Sequence, residues 1–154
     1  MYRYAIVFSL FLLFHTPVKA NELAEGDSMI TGTYLSANPK GYKVVIDEAD
    51  RLTTNIEVKS MDGVRLPIVF PHRVKYDAKL DRFVAYGYFR VTQFPNGQKA
   101  NCQYPVTFLL DVYGDGKYMD VDMRMHERFF LDQFGVCRAV GGRSYPFSFN
   151  RMEE

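Results

Sequence analysis

Two tight-turn dipeptides, Asn96-Gly97 and Asp115-Gly116, bracket the run from Lys99 to Tyr113, and this bracket constrains the fold more than any other feature of the chain. Asn-Gly and Asp-Gly suit two-residue type I′ hairpin loops, because both central positions need positive φ. A two-residue loop at Asn96-Gly97 sets Val91 opposite Cys102, Phe89 opposite Tyr104, Gly87 opposite Val106, Ala85 opposite Phe108 and Phe83 opposite Leu110. A turn centred on Asp115-Gly116 sets Val112 opposite Met119, Leu110 opposite Val121, Phe108 opposite Met123 and Val106 opposite Met125. Both registers place the same middle-strand residues on one apolar face, and a slip of one residue at either turn would send half of them to the wrong side. The pattern predicts a three-strand meander over 82–94, 99–113 and 117–127, with Cys102 on its core face. Pro105 lacks an N–H, so a bulge or a late start of pairing is expected there.

Elsewhere, short runs rich in Val, Ile, Phe and Tyr alternate with the breakers "NPKG", "MDG", "PH" and "GG". Such spacing predicts an all-β domain, a single antiparallel β-barrel or β-sandwich of about eight strands. Besides the meander, strands are expected near 30–37, 42–47, 53–59, 64–70, 135–139 and 144–149. "IDEADRL" (46–52) and "HERFFLDQF" (126–134) each have room for one helical turn. No repeat or linker divides the chain, so residues 29–154 read as one β domain. "GTYLS" (32–36) resembles the Gly-x-aromatic start of lipocalin-like barrels, whose size suits eight or nine strands.

The first twenty residues carry Arg3, the apolar run "AIVFSLFLLF", Pro17, and small residues at Val18 and Ala20. This is the arrangement of a cleavable signal peptide over 1–20, too short to span a bilayer. Residues 21–28 read as a flexible N-terminus, and no transmembrane segment is expected after cleavage. Losing Arg3 and Lys19 changes the formal net charge from +1 to −1. A near-neutral chain has no electrostatic reason to bind nucleic acid. In an exported chain, secreted or periplasmic, two cysteines most simply form one disulfide, Cys102–Cys137. No Asn-x-Ser/Thr acceptor follows the signal, which leans toward a bacterial periplasm.

The face of the meander opposite the core carries rows of another character: Arg82–Asp111–Asp120, Val84–Leu109–Asp122, Tyr86–Thr107–Arg124 and Tyr88–Pro105–His126. Like charges placed opposite destabilise a strand pair, so Asp111 against Asp120 calls for Arg82 and Arg124 nearby. Asp111, Asp115, Asp120 and Asp122 around Gly114-Asp115-Gly116 also form a candidate calcium site. Asp111, Asp115, Gly116 and Asp122 match positions one, five, six and twelve of the calcium-loop template, but Tyr113 stands at position three. The segment is similar to the "D-x-N-G-D-G" loops of calcium-binding repeats, yet occurs once; a hairpin turn is the preferred reading, and no cofactor is required.

His72 and His126 are the histidines that follow the signal, and "HE" at 126–127 has no second His four residues on, as zinc proteases require. In a pleated strand Glu127 points away from the face that holds His126. "VGGRS" (140–144) offers an anion site or, more simply, a turn. The sequence holds 11 Tyr and 13 Phe. Tyr42, Tyr86, Tyr88, Tyr113, Tyr118 and Tyr145 include candidates for a binding strip. Met119, Met123 and Met125 with Phe83, Phe89 and Phe108 would form core or line an apolar cavity.

With no catalytic constellation, the favoured reading is a non-catalytic binding module for a protein, glycan or lipid ligand. Its candidate face is Arg82, Tyr86, Tyr88, Arg124 and His126. The alternatives are an accessory component of a cell-envelope or secretion assembly, and a small metal-dependent hydrolase.

Overall fold

The computed structural model describes residues 30–59, 63–93, 97–132, 134 and 136–153. The expected signal peptide and flexible N-terminus lie outside them. The strands are β1 (Gly32–Asn38), β2 (Lys43–Ile46), β3 (Leu52–Thr54), β4 (Glu57–Lys59), β5 (Arg65–Pro67), β6 (Lys75–Asp77), β7 (Arg82–Gln93), β8 (Lys99–Tyr113), β9 (Tyr118–Leu131) and β10 (Cys137–Arg151). Eight of them form one antiparallel half-barrel sheet in the order β3-β2-β1-β10-β9-β8-β7-β6, and β4 and β5 form a small second sheet. A bridge between Arg51 and Arg73, with the Val74 N–H donating to the Asp50 carbonyl at 2.8 Å, draws together the segments leading into the two edge strands. Among the described residues no helix is long and apolar enough to cross a membrane.

The core register of the meander stands as expected. Pairing runs from Phe83↔Leu110 to Val91↔Cys102, and from Val106↔Met125 to Val112↔Met119. Asp115 and Gly116, at φ 55° and 80°, occupy the centre of the second turn, closed by the Lys117 N–H donating to the Gly114 carbonyl at 3.2 Å. A type I′ turn needs positive φ at both central positions; here Gly114 before them is at positive φ as well, 62°. The first turn departs from expectation. The ladder shifts between Val91 and Gln93, Gln93 pairs with Lys99, and the connection runs over 94–98 instead of two residues. The shift sits at the strand end, so the core register survives; Asn96 is outside the described residues.

The core face carries Ala85, Phe89, Val91, Val106, Phe108, Leu110, Met119, Val121, Met123 and Met125, all buried. Across from it lies the connection between β3 and β6, which contains the β4–β5 hairpin and buries Ile56, Val58 and Ile68. Phe70 from the same connection meets Phe108 edge-on at 4.8 Å between ring centroids. The methionine row therefore belongs to packed core; each such large side chain contributes about 1.5–3 kcal/mol by burial.

Pro105 marks where the sheet changes. β8 pairs with β7 through Tyr88↔Pro105, but its ladder with β9 starts at Val106. Past that point β9 pairs with β10 alone, from Glu127↔Gly141 to Leu131↔Cys137. Phe129 stacks on Tyr104 at 4.7 Å, and Tyr104 on Phe89 at 5.4 Å. The Cys102–Cys137 disulfide then ties the start of β10 to β8, with 6.1 Å between the Cα atoms.

Several local expectations are corrected. "VGGRS" is no turn: Gly141 and Gly142 lie inside a continuous β10, so 135–139 and 144–149 are not separate strands. A Cβ on Gly142 would sit 2.2 Å from the Met125 carbonyl oxygen, so glycine lets β9 and β10 approach there. The "HERFFLDQF" segment extends β9 through Leu131 instead of forming a helical turn. Likewise "IDEADRL" is a tight turn: the Asp47 carboxylate accepts from the Ala49 and Arg51 N–H groups, both at 2.9 Å. The expected strand 53–59 is split into β3 and β4, and β6 was not foreseen.

Candidate functional site

The strand alternation that buries one face of the meander projects Arg82, Tyr86, Tyr88, Arg124 and His126 together from the other. Tyr86 pairs with Thr107, and Thr107 in turn with Arg124, so these three form one row across the sheet. Tyr88 pairs with Pro105 one row along, and His126 follows Arg124 by two residues on the same side of β9. Tyr86 is 53% exposed, Arg124 and His126 are exposed, and Tyr88 and Arg82 are half-buried. Between them on the same face Val84, Leu109 and Thr107 are buried. The Thr107 hydroxyl lies 2.8 Å from His126 Nε2, which anchors the imidazole on this face. All five residues of the predicted face thus lie on one side of one sheet.

The charged rows balance themselves. Asp111 and Asp120 are direct cross-strand partners. Arg82 Nε lies 3.5 Å from Asp111, and the Tyr113 hydroxyl donates to Asp120 at 3.3 Å. Arg124 Nε donates to Asp122 at 2.8 Å. Burial, and then the neighbouring Asp120 carboxylate, holds the Tyr113 phenol above its ordinary pKa. Asp115 stands apart from the other three, in the turn. Among the described residues no three Asp, Glu, His or Cys groups converge as a metal site. His72 is exposed on the connection leading into β6.

The tyrosines divide by position. Tyr42 packs edge-on against Phe147 at 5.3 Å, and Tyr145 is half-buried against the core. Tyr113 and Tyr118 stack at 5.5 Å beside the Asp115 turn. Only Tyr86 and Tyr88 join the arginine–histidine rows.

Sequence reading missed two concavities, because each is assembled from segments distant in the chain. One, of about 360 Å³, is lined by Tyr42, Asn55, Glu57, Lys59 and Arg65. The other, of about 740 Å³, lies between the start of β1, the Asp115 turn and the end of β10. The turn dipeptide signalled one wall of the latter, and nothing local signalled the other two.

It also missed the tip of the β9–β10 hairpin. There the Asp132 carboxylate accepts from the Phe134 and Val136 N–H groups, both at 2.9 Å, and from Arg138 Nε at 2.8 Å. The hydrogen bond from the Val136 backbone, supported by Arg138 and the Phe134 N–H, lowers the Asp132 pKa below the ordinary carboxylate value. Phe134 is 77% exposed on this braced tip.

Compared with known proteins, the chain matches no family model, and neither a curated protein nor a solved structure is significantly similar to it.

Proposed function

We propose that the chain is an exported, non-catalytic binding module that recognises its ligand through the face bearing Arg82, Tyr86, Tyr88, Arg124 and His126. The observation that carries this reading is the contiguous exposure of Tyr86, Arg124 and His126 on a sheet whose opposite face is packed. Tyrosine offers large amphipathic contact area at small entropic cost, and arginine adds directional donors. An open sheet face suits a protein or glycan surface. A lipid would have to lie on that face too, because apolar side chains from the β3–β6 connection pack against the concave side. The disulfide is in keeping with an oxidising compartment and hence with export.

A glycan array and an extract of the host's own envelope, each probed with wild type and with Tyr86→Ala/Arg124→Ala, test the reading. Binding lost in the double variant but kept in Lys79→Ala supports it; binding indifferent to both changes overturns it.

A second reading, an accessory component of an envelope or secretion assembly, is favoured by one observation. Phe134 is held out in solvent by three hydrogen bonds to Asp132 and neighbouring disulfide bracing, a placement suited to insertion into a partner subunit. Loss of co-assembly in Phe134→Ala, with Tyr86→Ala unaffected, would select it over the binding module.

A further inference from the structure

The 740 Å³ cleft between β1, the Asp115 turn and the end of β10 falls in the size range of small-molecule sites. Backbone hydrogen bonds fix its walls. The Arg151 N–H donates to the Lys117 carbonyl and the Met152 N–H to the Thr33 carbonyl, both at 2.8 Å. Two glycines at positive φ make room for its side chains. A Cβ on Gly32, at φ 151°, would lie 2.8 Å from Arg151 Nε, so the guanidinium rests directly on that glycine. A Cβ on Gly114, at φ 62°, would lie 2.8 Å from the Tyr118 ring. Both a cation and an aromatic ring of the lining are therefore seated on positions that only glycine fills without strain.

The charge arrangement points to the ligand. Arg51, Arg65, Arg82, Arg124 and Arg138 each have a carboxylate within ion-pair distance. Among the described residues Arg151 and Lys117 have none within that distance, and neither have Arg73, Arg90, Arg128 and Arg143; what sets Arg151 and Lys117 apart is that they line one cleft, together with Asp115 and Glu153. Two cations, two carboxylates at Asp115 and Glu153, an amide at Asn150, a hydroxyl at Thr33 and a Tyr118 ring 44% exposed converge on one space. A guanidinium binds carboxylate or phosphate through two parallel N–H bonds. A tyrosine ring receives the apolar face of a sugar, and the amide and hydroxyl suit its ring hydroxyls.

We propose that this cleft is a second binding site, separate from the tyrosine–arginine–histidine face, for a small anionic saccharide. Its carboxylate or phosphate is held by Arg151 and Lys117 and its ring by Tyr118.

Titration of the ¹⁵N-labelled, disulfide-intact chain with sodium galacturonate, glucose 6-phosphate and neutral galactose, at constant ionic strength, tests this. The expected result is saturable shifts at Thr33, Lys117, Tyr118 and Arg151 with at least one anion and none with galactose. The two anions distinguish a uronic acid from a sugar phosphate. Arg151→Ala should weaken binding at least about tenfold, as loss of a charge-assisted pair does. Lys117→Ala, in an exposed turn, serves should Arg151→Ala fail to fold. Absence of saturation with both anions, equal shifts with galactose, or undiminished affinity in a folded variant would overturn the proposal.

Discussion

Asp111 and Asp120 stand directly opposite each other on β8 and β9, a like-charge pair kept in register by the Asp115 turn on one side and the apolar core on the other. Arg82 on β7 and the Tyr113 hydroxyl supply the compensation. Asp120→Asn, which retains an acceptor for Tyr113, should leave stability unchanged or raise it by up to about 0.5 kcal/mol. Arg82→Ala should lower it by roughly 0.2–1 kcal/mol, the range for a partly exposed pair. Urea denaturation midpoints decide between these outcomes. Millimolar calcium should leave the Tm of the wild type where it is; a clear rise that Asp111→Asn abolishes would instead make the carboxylates a metal site.

Gly141 and Gly142 are adjacent in β10 but differ sharply in what surrounds them. Nothing lies within 4 Å of a Cβ on Gly141, whereas on Gly142 it would meet the Met125 and His126 carbonyl oxygens at 2.2 and 2.6 Å. Gly142→Ala should therefore destabilise the fold by about 1–3 kcal/mol, as overpacking does, while Gly141→Ala is close to neutral. Thermal unfolding of the two variants side by side is the check.

The disulfide closes a loop between Cys102 and Cys137, 35 residues apart in sequence. The chain-entropy relation gives roughly 3–4 kcal/mol for such a loop. A Cys102→Ala/Cys137→Ala variant should lose that much in denaturant titration. Its first opening should appear in β9 beyond Pro105, where pairing with β8 is absent, as faster amide exchange over 126–131.

The Asp132 carboxylate has its pKa lowered by folding, so its stabilising contribution is fully present above the ordinary carboxylate value of 3.8 and is lost as pH falls through the lower, folded value. Amide exchange at Phe134 and Val136 should rise selectively as the solution is acidified below about pH 4. Asp132→Asn should show that faster exchange already at neutral pH. A tip equally protected in both proteins at neutral pH would remove Asp132 from this role.

The parts of the fold legible in the sequence are those where two local signals agree. The meander register followed from alternating apolar residues between two turn dipeptides, each of which separately assigns Phe108 and Leu110 to the core. The disulfide followed from chain chemistry alone. What was not legible depends on contacts distant in sequence. β6 is three residues long with Lys75 and Tyr76 exposed, so it has no apolar alternation to read and exists because Lys75, Tyr76 and Asp77 pair with β7. Gly141-Gly142 looks like a turn locally, and becomes strand because β9 supplies a partner along its whole length. The shared face of Arg82, Tyr86, Tyr88, Arg124 and His126 was legible because strand alternation alone places them together. The cleft between β1, the Asp115 turn and the end of β10 was not, since Thr33, Lys117 and Arg151 meet only after β1 and β10 have paired.

The most direct test of recognition through the Tyr86 face is site-specific photo-crosslinking in the protein's own host. The comparison is a photoreactive residue at position 86 against one at the exposed position 79, both in the disulfide-intact chain. The expected result is a discrete adduct from position 86 that disappears when Arg124→Ala is added, with none from position 79. Equal adducts from both positions, or an adduct at 86 indifferent to Arg124→Ala, would contradict it.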